Sequence, residues 1–244
     1  MDLTGNTMLI TGATSGIGLA LTTRFSELGN TVIAVGRNPT QLAELTRRSD
    51  RIHPVQADLA SAQDIERLVM LVEQQYPSLN VLINNAGVQY TYSFAESSEH
   101  LSRITHELTV NLTAPLHLIS LLLPLLLTQP KAAVVNVSSG LGLVPKRSAP
   151  VYCATKAGLH IFSKALGYQM SGTSVRVMEV IPPLVDTPMT AGRGRSKISP
   201  EQLVEEFLRQ FARDRSEINI GKVGLLRLLQ RISPALADRL LRDG

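Results

Sequence analysis

Short apolar runs alternate with longer amphipathic stretches along the chain as far as Val180. Most of the short runs are apolar on both faces, which is typical of strands that helices cover on two sides. Strands are predicted at residues 7–11, 31–35, 52–56, 81–84, 132–137 and 174–180. The longer stretches space their apolar residues as helices do. Helices are predicted near residues 18–28, 39–47, 62–75, 101–127 and 152–170.

The regular alternation of strand and helix predicts the fold class. Successive βα units pair as parallel strands with right-handed crossovers, so we expect an α/β fold with a doubly wound (Rossmann) parallel sheet. A chain of 244 residues commonly forms one such unit, and we expect residues 1–244 to be a single domain.

The pattern changes after residue 180. Residues 181–199 hold three prolines and two glycines, which predicts a long loop, and we interpret this loop as a substrate loop. Residues 200–244 are expected to be a helical C-terminal segment, with helices at 200–212, 223–230 and 234–241. Ser233 is the expected N-cap of the last helix, and Pro234 its first residue.

Composition and charge exclude several classes of protein. The net charge of +4 is spread along the chain, whereas nucleic-acid binding favours a concentrated basic stripe. One cysteine, Cys153, excludes an intramolecular disulfide and fits a reducing compartment. The start of the chain lacks signal-peptide features, and the most apolar run, residues 116–127, is shorter than a bilayer of about 30 Å requires. We therefore expect a cytoplasmic protein with no nucleic-acid partner and no membrane span.

A glycine-rich turn follows the first predicted strand and precedes the first predicted helix. Its residues are Gly12, Thr14, Ser15, Gly16, Ile17 and Gly18. Glycines let the backbone bend tightly and approach a pyrophosphate, whose charge then lies at a helix N-terminus. Such a string alone is weak evidence, but between a strand and a helix it predicts a dinucleotide-binding turn.

The residues that end the second strand indicate which dinucleotide is bound. NAD enzymes usually place Asp or Glu here for the ribose 2′-hydroxyl, but this chain has Gly36 followed by Arg37. A guanidinium pairs with a 2′-phosphate, to which Ser15 and Asn38 are expected to add hydrogen bonds. The sequence therefore predicts NADP(H), and NAD(H) is the disfavoured alternative. The other alternative is that Arg37 is an exposed loop residue with no role in binding.

Tyr152 and Lys156 lie one helical turn apart on the same predicted face. A free tyrosine has a pKa near 10, and a nearby ammonium lowers the pKa by favouring the phenolate. The pair is therefore a candidate acid/base centre, although a surface pair with this spacing is common.

These motifs together resemble the short-chain dehydrogenase/reductase family, in its short single-domain branch, over the chain to about Thr190. The serine of that family lies thirteen residues before its tyrosine, which corresponds to Ser139 at the end of the fifth strand. The helix-borne asparagine of the family corresponds to Asn111. The resemblance thus implies a catalytic tetrad of Asn111, Ser139, Tyr152 and Lys156.

The resemblance also implies further cofactor contacts. These residues are Asp58 and Leu59 at the adenine ring, Asn85, Ala86 and Gly87 along the adenosine, and Pro182, Val185 and Thr187 at the nicotinamide. The asparagines at positions 84 and 85 are expected to brace neighbouring strands as well. Pro183 departs from the family, which usually has Gly there, and Pro disfavours a left-handed turn.

The implied reaction is hydride transfer between a nicotinamide and a carbonyl or alcohol. Tyr152 donates the proton in reduction and accepts it in oxidation, while Ser139 hydrogen-bonds the reacting oxygen. Lys156 holds the ribose and tunes Tyr152, and Asn111 supports a water-mediated proton relay through its helix backbone. The alternatives are a nucleotide-binding regulatory or scaffold protein without turnover, and an isomerase or dehydratase of the same fold.

The remaining expectations concern partners and the chain ending. A small-molecule carbonyl or alcohol substrate and a homodimer or homotetramer are implied, since helices matching 101–127 and 152–170 make subunit contacts in the family. No metal site is expected, because the five His show no ligand spacing. Cys153 is expected to be a buried structural thiol, and His160 to pack near the helix–sheet interface. The ending lacks the closing strand frequent in the family, and it is similar to a bacterial subgroup named after the operon for teichoic-acid D-alanylation.

Overall fold

One parallel sheet organises the chain, with strands in the order β3-β2-β1-β4-β5-β6-β7. The computed structural model of the chain describes residues 1–96, 100–194 and 196–243. Its strands are β1 Thr7–Thr11, β2 Thr31–Gly36, β3 Ile52–Gln56, β4 Leu79–Asn84, β5 Ala132–Val137, β6 Val175–Ile181 and β7 Glu217–Asn219. The order reverses between β1 and β4, so a crevice opens at the carboxyl ends of these two strands.

Helices cover both faces of the sheet. They are α1 Gly16–Glu27, α2 Pro39–Thr46, α3 Ala62–Gln75, α4 Leu101–Leu108, α5 Ala114–Leu127, α6 Pro150–Gln169, α7 Pro200–Phe211, α8 Val223–Ile232 and α9 Pro234–Leu241. Helices α1, α2 and α7 pack on one face, where the rings of Phe25, Phe207 and Phe211 lie within 6.2 Å of one another. Helices α3, α5 and α6 form the other core. The predicted doubly wound α/β fold with a helical ending is confirmed.

The seventh strand is a correction to the sequence prediction. Glu217–Asn219 pairs in parallel with β6, opposite Glu179, Val180 and Ile181. The expectation that the chain lacks a closing strand was therefore wrong. Three residues are too few for a strand pattern to be recognised, and the strand is defined only by its pairing with a distant segment.

The predicted helix at 101–127 contains an interruption. A π-helical turn, Thr109–Thr113, separates α4 from α5 without ending the helical run. The run Leu101–Leu127 is 27 residues long and, by length and composition, is the one helix among the described residues that could cross a membrane. Leu118, Leu122 and Leu126 are fully buried against the sheet, and core helices pass the same test.

Two details of the chain after β6 also depend on tertiary contacts. The predicted loop at 181–199 contains a short 3-10 turn, Pro188–Thr190, and a bridge between Val185 and Ile198. Ser233 occupies the N-cap position of α9 and Pro234 its first position, as expected, but the Ser233 side chain makes no capping hydrogen bond.

Candidate active site

The glycine turn lies at the carboxyl end of β1, where α1 begins. Gly12 and Gly16 have φ of +65° and +51°, a region that disfavours side chains. A Cβ on Gly12 would lie 2.9 Å from the Ala86 Cα, and one on Gly16 would lie 2.8 Å from the Thr187 Cγ2. Ser15 is the N-cap of α1, yet its side chain makes no capping hydrogen bond. The turn therefore leaves the helix N-terminus free to bind an anion.

The asparagines after β4 hold this turn in place. The Asn85 Nδ2 donates to the carbonyls of Thr11 and Gly12 at 2.9 and 3.3 Å. The Thr11 hydroxyl accepts from the backbone amides of Asn85 and Ala86, each at 3.0 Å. The Asn84 Nδ2 donates to the Asn136 Oδ1 at 2.9 Å, which links β4 to β5. The predicted bracing role of both asparagines is confirmed.

Arg37 stands at the rim of the same cleft, after β2. Gly36 packs tightly beneath it, since a Cβ there would lie 2.7 Å from the Thr14 Cγ2. The Arg37 side chain is exposed and Asp58, Leu59 and Asn38 line the same end of the cleft. The Asn38 Oδ1 accepts from the amides of Thr40 and Gln41, and thus caps α2. The Asn38 side-chain oxygen is consequently engaged within the protein.

The four predicted catalytic residues are brought together from three elements. Tyr152 and Lys156 come from α6, Ser139 from the end of β5, and Asn111 from the π-helical turn. The Lys156 Nζ lies 5.7 Å from the centre of the Tyr152 ring and donates to the Val137 carbonyl at 2.8 Å. A Cβ on Gly87 would lie 3.4 Å from the Asn111 Oδ1 and 3.7 Å from the Lys156 Nζ. Ser139, Tyr152 and Lys156 therefore line the same cleft at the carboxyl edge of the sheet, and Asn111 lies close behind Lys156.

Asn111 is fully buried, and its side chain is occupied by the loop after β4. Its Nδ2 donates to the Val88 carbonyl and its Oδ1 accepts from the Val88 amide, both at 2.8 Å. The same Nδ2 also donates to the Thr155 hydroxyl at 3.3 Å. Asn111 thus ties the floor of the cleft to α6, and the π-helical turn, a feature frequent at functional sites, places it there.

Burial dominates the electrostatics of the pair on α6. Burial raises the pKa of Tyr152 to about 12, and the Ser139 hydroxyl opposes this rise. Burial lowers the pKa of Lys156 to about 8, and the Glu179 carboxylate opposes this fall. The expectation that Lys156 lowers the pKa of Tyr152 below its ordinary value is therefore wrong for the protein alone, because the phenol is desolvated.

The segment after β6 forms the wall next to the tetrad. The Gly140 amide donates to the Pro182 carbonyl at 3.1 Å, and Ile181 and Val185 are buried. The Thr187 amide donates to the Thr190 hydroxyl at 3.1 Å. Pro183 does not take a positive φ: among the described residues other than glycine, only Ser196 and Asp214 do. The prediction that Pro183 excludes a left-handed turn is confirmed.

One large cleft, about 1270 Å³ in volume, connects the glycine turn to the tetrad. Every predicted cofactor residue lines this cleft except Gly18, which packs beneath the turn. Of the tetrad, Ser139, Tyr152 and Lys156 line the cleft, and Asn111 lies behind its wall. Leucines of α8 and α9 close its far end. The Gln230 Nε2 donates to the Leu143 carbonyl at 2.6 Å and the Arg147 amide to the Arg242 carbonyl at 3.0 Å, which fastens these helices over the cleft.

Sequence reasoning missed a buried acidic group near the tetrad. Glu107 is fully buried on α4, and its Oε2 accepts from the Tyr92 hydroxyl at 2.7 Å. Burial raises the pKa of the Glu107 carboxyl. Its position four residues before Asn111, on the same helix face, was the available signal.

The minor residues lie as follows. Cys153 is buried with its Sγ accepting from the Lys146 amide at 3.3 Å, as expected of a structural thiol. The His160 Nδ1 lies 2.6 Å from the Glu179 Oε2 of β6, at the expected helix–sheet interface. No group of three or more potential metal ligands occurs within the described ranges.

Comparison with known proteins agrees with this geometry. A family model described as short chain dehydrogenase matches residues 6–197. The chain is 44% identical over 234 residues, 93% of its length and 92% of the relative, to the uncharacterized oxidoreductase DltE of Bacillus subtilis. This is the subgroup that the ending resembles. The chain belongs to the short-chain dehydrogenase/reductase family of oxidoreductases.

Solved structures give the same result. A short chain dehydrogenase from Burkholderia cenocepacia in complex with NADP superposes with a TM-score of 0.88 at 25% identity, covering 99% of both chains. A short chain dehydrogenase/reductase from Burkholderia phymatum in complex with NAD has a TM-score of 0.86 at 20% identity, covering 100% of this chain and 97% of the other. Proteins of this fold thus bind either nucleotide, and the fold does not decide between them.

Proposed function

We propose that the protein interconverts a carbonyl and an alcohol by hydride transfer, with NADP(H) as its preferred nucleotide. The observation that carries the proposal is the meeting of Ser139, Tyr152 and Lys156 in the same cleft as the glycine turn. No carboxylate stands at position 36, and Arg37 follows at the rim. A guanidinium there supports binding of a 2′-phosphate, which a carboxylate would repel.

The cleft fits a nicotinamide nucleotide. The tight glycine turn and the uncapped start of α1 form a cradle for a pyrophosphate, a space that a Cβ would fill. We propose that Asp58, Leu59 and Asn85 to Gly87 line the adenosine, and that Pro182, Val185 and Thr187 hold the nicotinamide. When bound, the nucleotide supplies or accepts the hydride.

The residues of the chain supply the proton and hold the charge. With its pKa raised to about 12, the Tyr152 phenol keeps its proton at neutral pH and can donate it to the carbonyl oxygen during reduction. In this proposal the Ser139 hydroxyl donates a hydrogen bond to the same oxygen as negative charge develops there. The buried Lys156 orients the ribose and restores the proton of Tyr152. In oxidation each of these transfers runs in reverse.

The test compares NADPH oxidation by the wild type and by Tyr152→Phe over a panel of aldehydes and ketones. Loss of the proton donor should lower kcat by about a hundredfold or more while NADPH still binds. Tyr168→Phe is the matched control, because it removes a phenol hydroxyl from the same helix outside the cleft and should leave kcat unchanged.

Other outcomes would favour other functions. NADPH binding without turnover of any carbonyl would indicate a regulatory or scaffold protein. Product formation without net change in the nucleotide would indicate an isomerase or dehydratase. We also propose a cytoplasmic location, a small-molecule substrate, a substrate loop at 181–199 and a homo-oligomeric assembly.

A further inference from the structure

The part of the cleft beyond the tetrad has a distinct chemistry. Leucines of α8 and α9 line it, together with apolar residues of two loops; they are Leu141, Leu184, Met189, Leu225, Leu226, Leu229, Leu240 and Leu241. Leu226 reaches the residue after the catalytic serine, since a Cβ on Gly140 would lie 3.6 Å from its Cδ2. Leu225 and Leu240, which line this part of the cleft, are 65% and 62% exposed. An apolar ligand would remove this surface from water.

Positive charge accompanies this apolar surface. Lys146, Arg193 and Lys222 line the same cleft, whereas Asp58, at the nucleotide end, is the one carboxylate among its described lining residues. The Arg193 Nη1 donates to the Gln89 Oε1 at 2.8 Å, and this neutral amide positions the guanidinium without cancelling its charge. Burial raises the pKa of Tyr152, Glu107 adds to the rise, and the Arg193 guanidinium is one of the groups that oppose it.

Two neighbouring cations outside the cleft are paired with carboxylates. The Arg147 guanidinium pairs with the Asp243 carboxylate at 3.1 Å, and the Lys197 ammonium pairs with the Asp186 carboxylate at 3.2 Å. Within the described parts of the chain, Lys146 and Arg193 have no such carboxylate partner. Cations that line a partly enclosed apolar cleft without a counter-charge attract an anionic ligand.

From this arrangement we infer that the substrate is an amphiphile, namely a carbonyl or alcohol compound with an apolar chain and an anionic group. The apolar chain lies against the leucines of α8 and α9, and Arg193, aided by Lys146, holds the carboxylate or phosphate group. The inference rests on the proposed function, because only that reaction makes the bound compound a substrate. Binding of the compound can be tested without turnover.

The probes are methyl octyl ketone and ω-acetyloctanoate, which differ only in a terminal methyl or carboxylate group. Their binding to the NADPH complex of Tyr152→Phe, which should not turn them over, is measured by calorimetry. We expect ω-acetyloctanoate to bind about tenfold more tightly or better, because one charge-assisted contact is gained. The corresponding phosphonate distinguishes a phosphate site from a carboxylate site.

Variants locate the anionic contact. Arg193→Gln should lower the affinity for ω-acetyloctanoate about tenfold and leave the affinity for methyl octyl ketone unchanged. Arg147→Gln is the matched control, because its cation is paired outside the cleft. Since Arg193 could instead contact a nucleotide phosphate, NADPH affinity is measured in each variant and should not change.

The apolar part is tested with levulinate, a keto acid with a shorter chain. It should bind the wild type at least about tenfold more weakly than ω-acetyloctanoate, because several methylene groups are no longer buried. Equal binding of the two long probes, or of the two keto acids, would overturn the inference. Absence of carbonyl turnover by the wild type would instead overturn the proposed function, and the preference for the anionic amphiphile would stand or fall independently.

Discussion

Arg37 and Tyr152 have the two most specific roles proposed for individual residues, nucleotide selection and proton transfer. Arg37 is exposed at the rim of the cleft, so its contribution depends on a contact with the nucleotide rather than on packing. Tyr152 is buried, so its contribution depends on when its phenol loses a proton. The nucleotide contact of Arg37 is measured by binding, and the proton loss of Tyr152 by titration.

Arg37→Ala should weaken NADPH binding by about tenfold to a hundredfold, because a charge-assisted hydrogen bond to the 2′-phosphate is lost. NADH binding should change little. Fluorescence titration of both nucleotides measures the effect, and Arg48→Ala, an exposed arginine away from the cleft, is the control. Equal NADH and NADPH affinities in the wild type would contradict the preference.

The Tyr152 phenolate should be absent at neutral pH in the protein alone. Burial raises the pKa to about 12, so the neutral phenol is retained as the pH rises through the ordinary range near 10. A cationic nicotinamide favours the phenolate, so NADP⁺ should move this titration to lower pH. The difference in ultraviolet absorbance between wild type and Tyr152→Phe reports the step. A wild-type phenolate signal below pH 9 without nucleotide would disprove the assignment.

Among the helices, α8 and α9 are the two at the C-terminal end of the chain that line the cleft. They form the far wall of the cleft, and a hydrogen bond from Gln230 to the Leu143 carbonyl holds them over the loop after β5. The glycine turn and Arg37 lie at the opposite end. Substrate binding and nucleotide binding are therefore expected to respond separately to changes in α8 and α9.

A chain that ends at Lys222 tests this separation. It keeps β7 but loses α8 and α9, so KM for a long-chain ketone should rise by about tenfold or more as apolar surface is lost. NADPH affinity should stay within about threefold, a difference below about 1 kcal/mol. Circular dichroism checks that the truncated chain is folded. Gln230→Ala, which removes a single hydrogen bond, should give a smaller change in the same direction.

For the molecule as a whole, the proposed homo-oligomer has a candidate interface in the exposed apolar residues on α4, α5 and α6. Leu101, Leu121, Ile161 and Tyr168 are 75%, 41%, 63% and 70% exposed. Such a surface is typical of subunit interfaces. A homodimer or homotetramer would bury these side chains.

Light scattering should therefore give a mass that is a multiple of the chain mass. Ile161→Lys combined with Leu121→Lys should reduce the mass to that of one chain, because two unpaired charges would be buried in the interface. Ile232 on α8 is 74% exposed and lies outside this surface, so Ile232→Lys should leave the assembly intact. A monomeric wild type would refute the proposed assembly.

Local patterns were sufficient for much of the fold and for part of the candidate site. Alternating apolar runs located six strands, and the boundaries of α3 and α9 agree with the prediction. The glycine turn could be recognised because its backbone requirement is local, and Tyr152 and Lys156 because one helical turn separates them. Ser139 and Asn111 needed the family resemblance, since no local rule links them to Tyr152.

Features that depend on distant segments could not be read from the chain. The strand β7 exists through its pairing with β6, and the role of α8 and α9 follows from where they fold back. The pKa of Tyr152 was predicted in the wrong direction, because neighbouring charge is visible in the sequence but desolvation is not. The spacing of residues along the chain was enough to select Tyr152 and Lys156 as candidate acid/base groups. Burial and long-range packing decide the pKa values of these groups and the shape of the cleft around them.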